Sequence, residues 1–376
     1  MNQRSYLDYN ATAPLRDEVR TDVIDALSLD GNPSSVHEEG RRARAAVEAA
    51  RDKVARLVGA PAESVIFTSG GTEANALALA QAGDGWRVLV SAVEHTSVLA
   101  APDATRLPVT SDGVIDLDKL EIELANPHLK GLLPFVSLMA ANNETGAIQP
   151  VAETAKIVKS AGGVMHTDAV QAAGRVRLDM AALGVDLLSL AAHKIGGPTG
   201  VGALVFREGV TVEPLIRGSG QERRRRAGTE NVPGIVGFGV AAELAAADLS
   251  RLQQVTALRD ELEARIRALA PDAVMFSASV PRLANTSYFS VPGAKAETLL
   301  IGLDLAGVAV SSGSACSSGK VEASHVLAAM DVAPELAQGA IRVSLGFGSK
   351  RDDIEAFLKA FGELIERLKA SRKVAA

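Results

Sequence analysis

Lys194 stands at the end of a mostly apolar run, Val185 to Ala192, and is followed at once by Gly196, Gly197, Pro198 and Gly200. A buried strand that delivers one amine to a glycine-walled turn has two readings. A solvated lysine at a strand end is ordinary, because lysine is seldom buried. A desolvated lysine keeps a neutral amine near physiological pH and can attack a carbonyl. A second chemical position follows the β-branched run Ser64–Thr68, where Ser69-Gly-Gly-Thr-Glu-Ala-Asn75 leads into a helical pattern over Ala74–Ala82. Free N–H groups and the dipole at a helix start attract an anion. The glycine spacing fits neither the dinucleotide fingerprint nor a P-loop, and a plain strand–helix turn would look the same.

Asp168 follows another apolar run, with Gln171 one turn on. A carboxylate there is either a helix cap or, if buried, a group in need of a cation. His95, in Glu94-His-Thr-Ser, is either a satisfied structural histidine or an imidazole that stacks on a flat ring and moves protons. Taken together, an amine, an acid and an anion turn meet the needs of pyridoxal phosphate: a lysine imine, a partner for the pyridine nitrogen and a phosphate cradle. Cys316, the single cysteine, lies in Ser311-Ser-Gly-Ser-Ala-Cys-Ser-Ser-Gly-Lys320, too polar a run for core. With Lys320 near it, the thiol has the setting of a reactive thiolate rather than an inert buried one. Arg342, in a strand pattern, reads equally as a bidentate clamp on a substrate carboxylate or as a surface arginine.

These residues need elements to hold them. Strand patterns at Arg87–Ser91, Leu132–Ala140, Val164–Thr167, Val185–Leu190 and Gly202–Phe206 alternate with helical ones at Leu117–Leu124 and Val151–Ala161. Such alternation predicts a largely parallel sheet with helices on its faces and ligands beyond the strands' carboxyl ends. Thr72, His95, Asn143, Asp168 and Lys194 all fall at those ends, so one pocket could collect them. Before them, Pro14 suits the first turn of a helix through Ala26, and Glu38–Val58 is an amphipathic helix stopped by Gly59. Asn231–Ala270 reads as one long helical connector. Beyond it, strands at Thr286–Val291, Val308–Val310 and Ile341–Leu345, with helices at Lys295–Leu305 and Arg351–Ala370, predict a smaller α+β domain. The expected division is 15–250 for the large domain, with 1–14 and 251–376 forming the small one that carries the Cys316 loop.

Composition narrows the class. With 376 residues the chain suits two domains, and 47% hydrophobic with 22% charged residues is ordinary for a globular protein. A net charge of −6 gives no reason to expect nucleic acid or an anionic membrane surface. Arg223–Arg226 reads as a solvated loop. No run approaches a membrane span, and the first residues carry no apolar signal region, so a cytoplasmic location is expected. One cysteine excludes an internal disulfide, and the six histidines show no ligand spacing, so no metal is expected.

Several motifs match one family: Tyr6-Leu-Asp-Tyr-Asn-Ala-Thr-Ala-Pro14, Asn32-Pro-Ser-Ser-Val-His37, Thr68–Asn75, Glu94-His95, Asn142-Asn-Glu-Thr-Gly146, His166–Gln171, His193-Lys194, Ala227-Gly-Thr229, Ser311–Ser318 and Ile341-Arg-Val-Ser344. Running nearly end to end, they resemble the cysteine desulfurases of the NifS/IscS group, within the class V aminotransferases of the fold-type I pyridoxal-phosphate enzymes. The fold implied is α/β: a large domain with a mostly parallel seven-stranded sheet flanked by helices, plus a smaller α+β domain. By the same resemblance Lys194 would carry the cofactor as an imine, Asp168 would pair with its ring nitrogen and Gln171 with its ring hydroxyl. His95 would stack on the ring, and Gly71, Thr72 and His193 would hold the phosphate. Thr229 would reach the phosphate in the neighbouring subunit of a homodimer. Asn143 and Arg342 would bind the carboxylate of L-cysteine, and Cys316 would accept its sulfur as a persulfide for an iron–sulfur scaffold or other sulfur-acceptor protein. A selenocysteine lyase or another β-eliminating enzyme would share every cofactor residue. One position departs from the pattern: Ala191 stands where the family usually has a phosphate-binding serine, with Ser189 or a water as possible substitutes.

Overall fold

The computed structural model describes residues 4–126, 131–313 and 323–375, with side chains to residue 370. A short strand β1 (Ser5–Tyr6) opens the chain. Seven strands follow: β2 (Val65–Thr68), β3 (Trp86–Ser91), β4 (Thr105–Leu107), β5 (Leu133–Ser137), β6 (Val164–Asp168), β7 (Leu187–Ala191) and β8 (Gly202–Phe206). They form one sheet in the order β2-β8-β7-β6-β5-β3-β4. Neighbours from β4 through β7 are parallel, whereas β8 runs antiparallel to both β7 and β2. The reason is connection length: residues 192–201 are too few for a helical crossover, so the chain can only turn back beside β7. The expected largely parallel α/β sheet is thus present, with one reversed strand.

Burial on both faces explains the composition of these strands. The residues of β6, β7 and β8 are buried almost throughout, and helices cover them. Val47, Ala50 and Val54 of the Glu38–Leu57 helix, and Val58 just past its end, pack with Phe238, Ala241 and Ala242 of Val232–Asp248 in the main core. The expected single connector is in fact two helices, Val232–Asp248 and Leu252–Leu269, joined through a turn at Leu249–Arg251. Contrary to the reading of the sequence, Val232–Leu269 is long and apolar enough to pass for a membrane span. Its apolar residues serve the core instead: Ile235, Phe238, Ala241, Ala242 and Ala245 are buried there.

A second core gathers Leu262 and Ile266, the strands β10 (Thr286–Ser290) and β12 (Ala340–Ser344), and Phe357 and Phe361 of the closing helix. Around it, β10 pairs antiparallel with β12 and with β9 (Val274–Met275), and β1 pairs with β11 (Val308–Ala309). Leu7 is packed into the same core, so the first residues of the chain are sewn to its last third. Two local expectations differ. Pro14 lies ahead of the first helix, which spans Asp17–Ala26. The basic run is solvated only in part: Arg223 and Arg224 are exposed, whereas Arg226 pairs with Glu73 and Arg225 lies over Phe206.

Candidate active site

The carboxyl ends of β2, β3, β5, β6 and β7 surround a cavity of about 590 Å³, lined among others by Thr72, His95, Asn143, Asp168 and Lys194. Lys194 follows β7 in a single turn of helix, Ala192–Lys194. Gly196 (φ +83°) then occupies the left-handed region, which lets the chain reverse toward β8. The Lys194 Nζ donates to the carbonyls of Asn10 (2.6 Å) and Ala11 (2.8 Å). Burial, then the positive charges of Arg342 and Arg175, push its pKa down to about 7, against the weaker pull of Asp168 and Asp8. A large share of this amine is therefore neutral at physiological pH, as expected of a desolvated rather than a solvated lysine.

The anion turn is more favourable than the sequence implies. Its helix spans Gly71–Leu79, starting three residues before the expected Ala74. Glu73 explains the shift, since its Oε2 accepts from the Ser69 N–H at 2.7 Å and closes the first turn. Gly71 and Thr72 consequently sit in that first turn, beside the cavity. Gly202 makes this close packing possible, because a Cβ there would stand 2.6 Å from the Gly70 carbonyl carbon.

Asp168, at the end of β6, is 6% exposed. Its Oδ1 accepts from the Val170 N–H (2.9 Å) and its Oδ2 from the Asn75 side-chain amide (2.7 Å). No helix begins here, so the carboxylate closes a turn rather than capping a helix, and no lysine or arginine among the described residues pairs with it. It retains lone-pair capacity toward the cavity, suited to a cationic N–H on a ligand. His95 caps the Thr96–Leu99 turn: its Nδ1 accepts from the Ser97 N–H at 3.2 Å. Because that N–H can only donate, the neutral ring carries its proton on Nε2. Burial lowers the pKa of His95 further, although Asp168 opposes this. His193 is pushed to about 4 by burial and by Lys194 and Arg175, so it too is neutral, with Nδ1 3.2 Å from the Thr12 hydroxyl.

Arg342 is 3% exposed, which rules out the surface reading. Its Nη2 donates to Asp8 (2.7 Å) and its Nη1 to the Asn143 carbonyl (2.9 Å), while the buried Nε has no partner. A carboxylate entering this corner would meet the Nη hydrogens not given to Asp8 and Asn143, since each Nη carries two. Gln171 lines the same cavity, as does Ala191. Ser189 cannot stand in for a serine at position 191, because its hydroxyl is buried 2.9 Å from His166 Nε2. Thr229 is not brought together with the others in this protomer; it lines a separate depression with Thr68, Arg226 and Asn231. Cys316 lies outside the described residues.

Several cavity residues escaped the reading of the sequence. Asp8, Asn10 and Asn75 could have been found only as polar residues inside the motifs at 6–14 and 68–75. His325, whose Nε2 donates to the Glu94 carbonyl at 2.9 Å, carried no local signal at all.

Comparison with known proteins agrees with this geometry. The profile of "Aminotransferase class-V" matches residues 5–357. The chain belongs to the class-V aminotransferase family. It is 42% identical to "Cysteine desulfurase IscS" of Dictyoglomus turgidum over 98% of this chain and 96% of that one. It is 44% identical to "Cysteine desulfurase" of Cereibacter sphaeroides over 98% and 97%. Among solved structures, a NifS-like protein from Rickettsia africae superposes with a TM-score of 0.89 at 36% identity, over 97% of this chain and all of that one. Like other class-V aminotransferases, the chain is a pyridoxal-phosphate enzyme. Its residues fit that cofactor: an amine with a lowered pKa, a buried carboxylate lacking a cation and a helix start with free N–H groups face one cavity.

Proposed function

We infer that the chain is a cysteine desulfurase, releasing L-alanine from L-cysteine and passing the sulfur to its single cysteine, Cys316. The observation that carries this reading is that Lys194, its pKa pushed down to about 7 by burial and by Arg342 and Arg175, shares one cavity with Asp168 and the Gly71–Thr72 turn. Lys194 would hold pyridoxal phosphate, with Asp168 at its ring nitrogen, Gln171 at its ring hydroxyl and His95 on its ring face. Gly71, Thr72 and His193 would hold the phosphate. Once bound, the cofactor supplies an electron sink for charge developing at the substrate α-carbon. Asn143 and Arg342 orient the cysteine carboxylate. The Lys194 nitrogen, neutral and enclosed, takes the α-proton and returns it. The Cys316 thiolate attacks the substrate sulfur, so that one S–S bond forms as the Cβ–S bond breaks.

The resemblance supports a cytoplasmic homodimer in which Thr229 completes the phosphate site of the second subunit. The position of Thr229 outside its own protomer's cavity agrees with that role. It also supports an iron–sulfur scaffold or another acceptor protein as the recipient of the sulfur. The test is a spectrum of the purified protein before and after L-cysteine, with alanine and sulfide assayed, beside Cys316→Ser. A band near about 400 nm is expected for a lysine-bound pyridoxal. It should shift with cysteine, and alanine formation should collapse in the variant. A variant that still turns over at the wild-type rate would move the function to a selenocysteine lyase or another β-lyase. A missing band after addition of the cofactor would overturn the role of Lys194.

A further inference from the structure

A second, smaller cavity of about 100 Å³, which Lys194 also lines, is bounded by Arg16, Arg175, Asp248 and Phe347. Arg16 is paired with Asp248, but no carboxylate among the described residues pairs with Arg175. Its guanidinium is spent on neutral oxygens. Nη1 donates to the Gln171 carbonyl (3.1 Å) and to the Gln171 side-chain Oε1; Nη2 donates to the carbonyls of Tyr9 (3.1 Å) and Lys194 (3.4 Å). A charged arginine held by carbonyls alone keeps its full positive charge in the surrounding field.

The same bonds settle the orientation of the Gln171 amide. Arginine has only donors, so the oxygen of Gln171 must face Arg175. Its Nε2 donates to the Asn10 carbonyl at 2.9 Å, an acceptor it shares with the Lys194 Nζ. One amide hydrogen is thereby used, and the other remains for the cavity. Gln171 is presented as a donor, the polarity that a negatively charged ring oxygen requires.

We infer that Arg175 is a positioning residue of this site: it fixes Gln171 as a hydrogen-bond donor and holds an uncompensated positive charge beside Lys194. The charge acts on the proton affinity of the Lys194 nitrogen. The other charged or titratable groups facing Lys194 are Arg342 from β12, Asp168 from β6, Asp8 from the N-terminal segment, His95, and its neighbour His193. The two acids oppose Arg175, and Arg342 reinforces it. Burial and Arg342 lower the pKa of Arg175 itself to about 10, so it stays charged at neutral pH. This inference rests on the reading of Lys194 as the cofactor lysine.

The test is a pH titration of the visible band of the full-length, cofactor-loaded protein without cysteine, for wild type, Arg175→Met and Arg175→Lys. Loss of the positive charge should raise the titration midpoint of Arg175→Met by about one pH unit. Arg175→Lys, which keeps the charge but not the fork, should titrate near wild type and retain the cofactor less tightly. If Arg175→Met does not fold, Arg175→Gln removes the charge in its place. A neutral variant that keeps the band and titrates like wild type overturns the inference and leaves the role of Lys194 intact. A wild-type protein with no band at all overturns the role of Lys194 itself, a separate result.

Discussion

One wall of the cavity, bearing Lys194, Asp168, His95 and the Gly71–Thr72 turn, rises from the strands of a single sheet. The opposite corner joins Asp8, Asn143 and Arg342 from three distant stretches of chain. On the first wall each group follows its strand within a few residues, and the ladder places it: Asp168 is registered against Ser189, two residues before Ala191. On the second, Arg342 reaches Asp8 because β12 pairs with β10 and the N-terminal segment docks on β12, through the Tyr9 N–H to the Ser344 carbonyl (3.2 Å) and the Ser344 N–H to the Leu7 carbonyl (2.8 Å). The difference separates two tasks. A rigid sheet edge suits capture of a cofactor that stays, and a junction between two cores suits a substrate that must come and go.

If the walls are separable, their variants should fail in different ways. Lys194→Ala should have the largest effect: loss of the visible band and a fall in cysteine turnover of about four orders of magnitude, the upper range for a positioned proton-transfer group. Turnover within tenfold of wild type would break the comparison at its stronger end. Arg342→Met should leave the band intact at pH 8 and lower kcat/KM for cysteine by about 10- to 100-fold, the effect of one charge-assisted hydrogen bond. Loss of the band in that variant would show that the second wall also holds the cofactor.

A pH series sharpens the picture further. With the Lys194 pKa pushed down to about 7, capture of added pyridoxal phosphate by the cofactor-free protein should be near its plateau above that value. Below it the neutral fraction of the amine, and hence the capture rate, should fall about tenfold per pH unit. A rate that keeps climbing to pH 10 would mean an ordinary lysine. The smallest effect belongs to Ala191→Ser, which adds a hydroxyl on a Cβ that lies 3.4 Å from where a Cβ on Gly71 would stand. Cofactor affinity, read by equilibrium dialysis, should tighten about fivefold, one hydrogen bond's worth, with KM for cysteine unchanged.

Legibility follows the same division. The strand ends were readable because a buried parallel strand is a short apolar run and the polar residue after it stands out. The two-helix break at Leu249–Arg251 was not, because the apolar pattern continues through it. Nor was the helix start at Gly71, which depends on the Glu73 side chain reaching back to Ser69. Arg175 was missed for a different reason. Its significance lies in having no acid beside it, and an absence of partners has no pattern in sequence.

The chain by itself determined an α/β sheet with its polar residues at the carboxyl ends, and its motifs carried the family resemblance from end to end. Tertiary structure alone decided that the Lys194 pKa is pushed down to about 7, that Gln171 presents its amide as a donor and that Arg342 is buried against Asp8. Hydrophobic periodicity is a local property that a sequence displays directly. Desolvation and the field of distant charges exist only once remote segments have packed together.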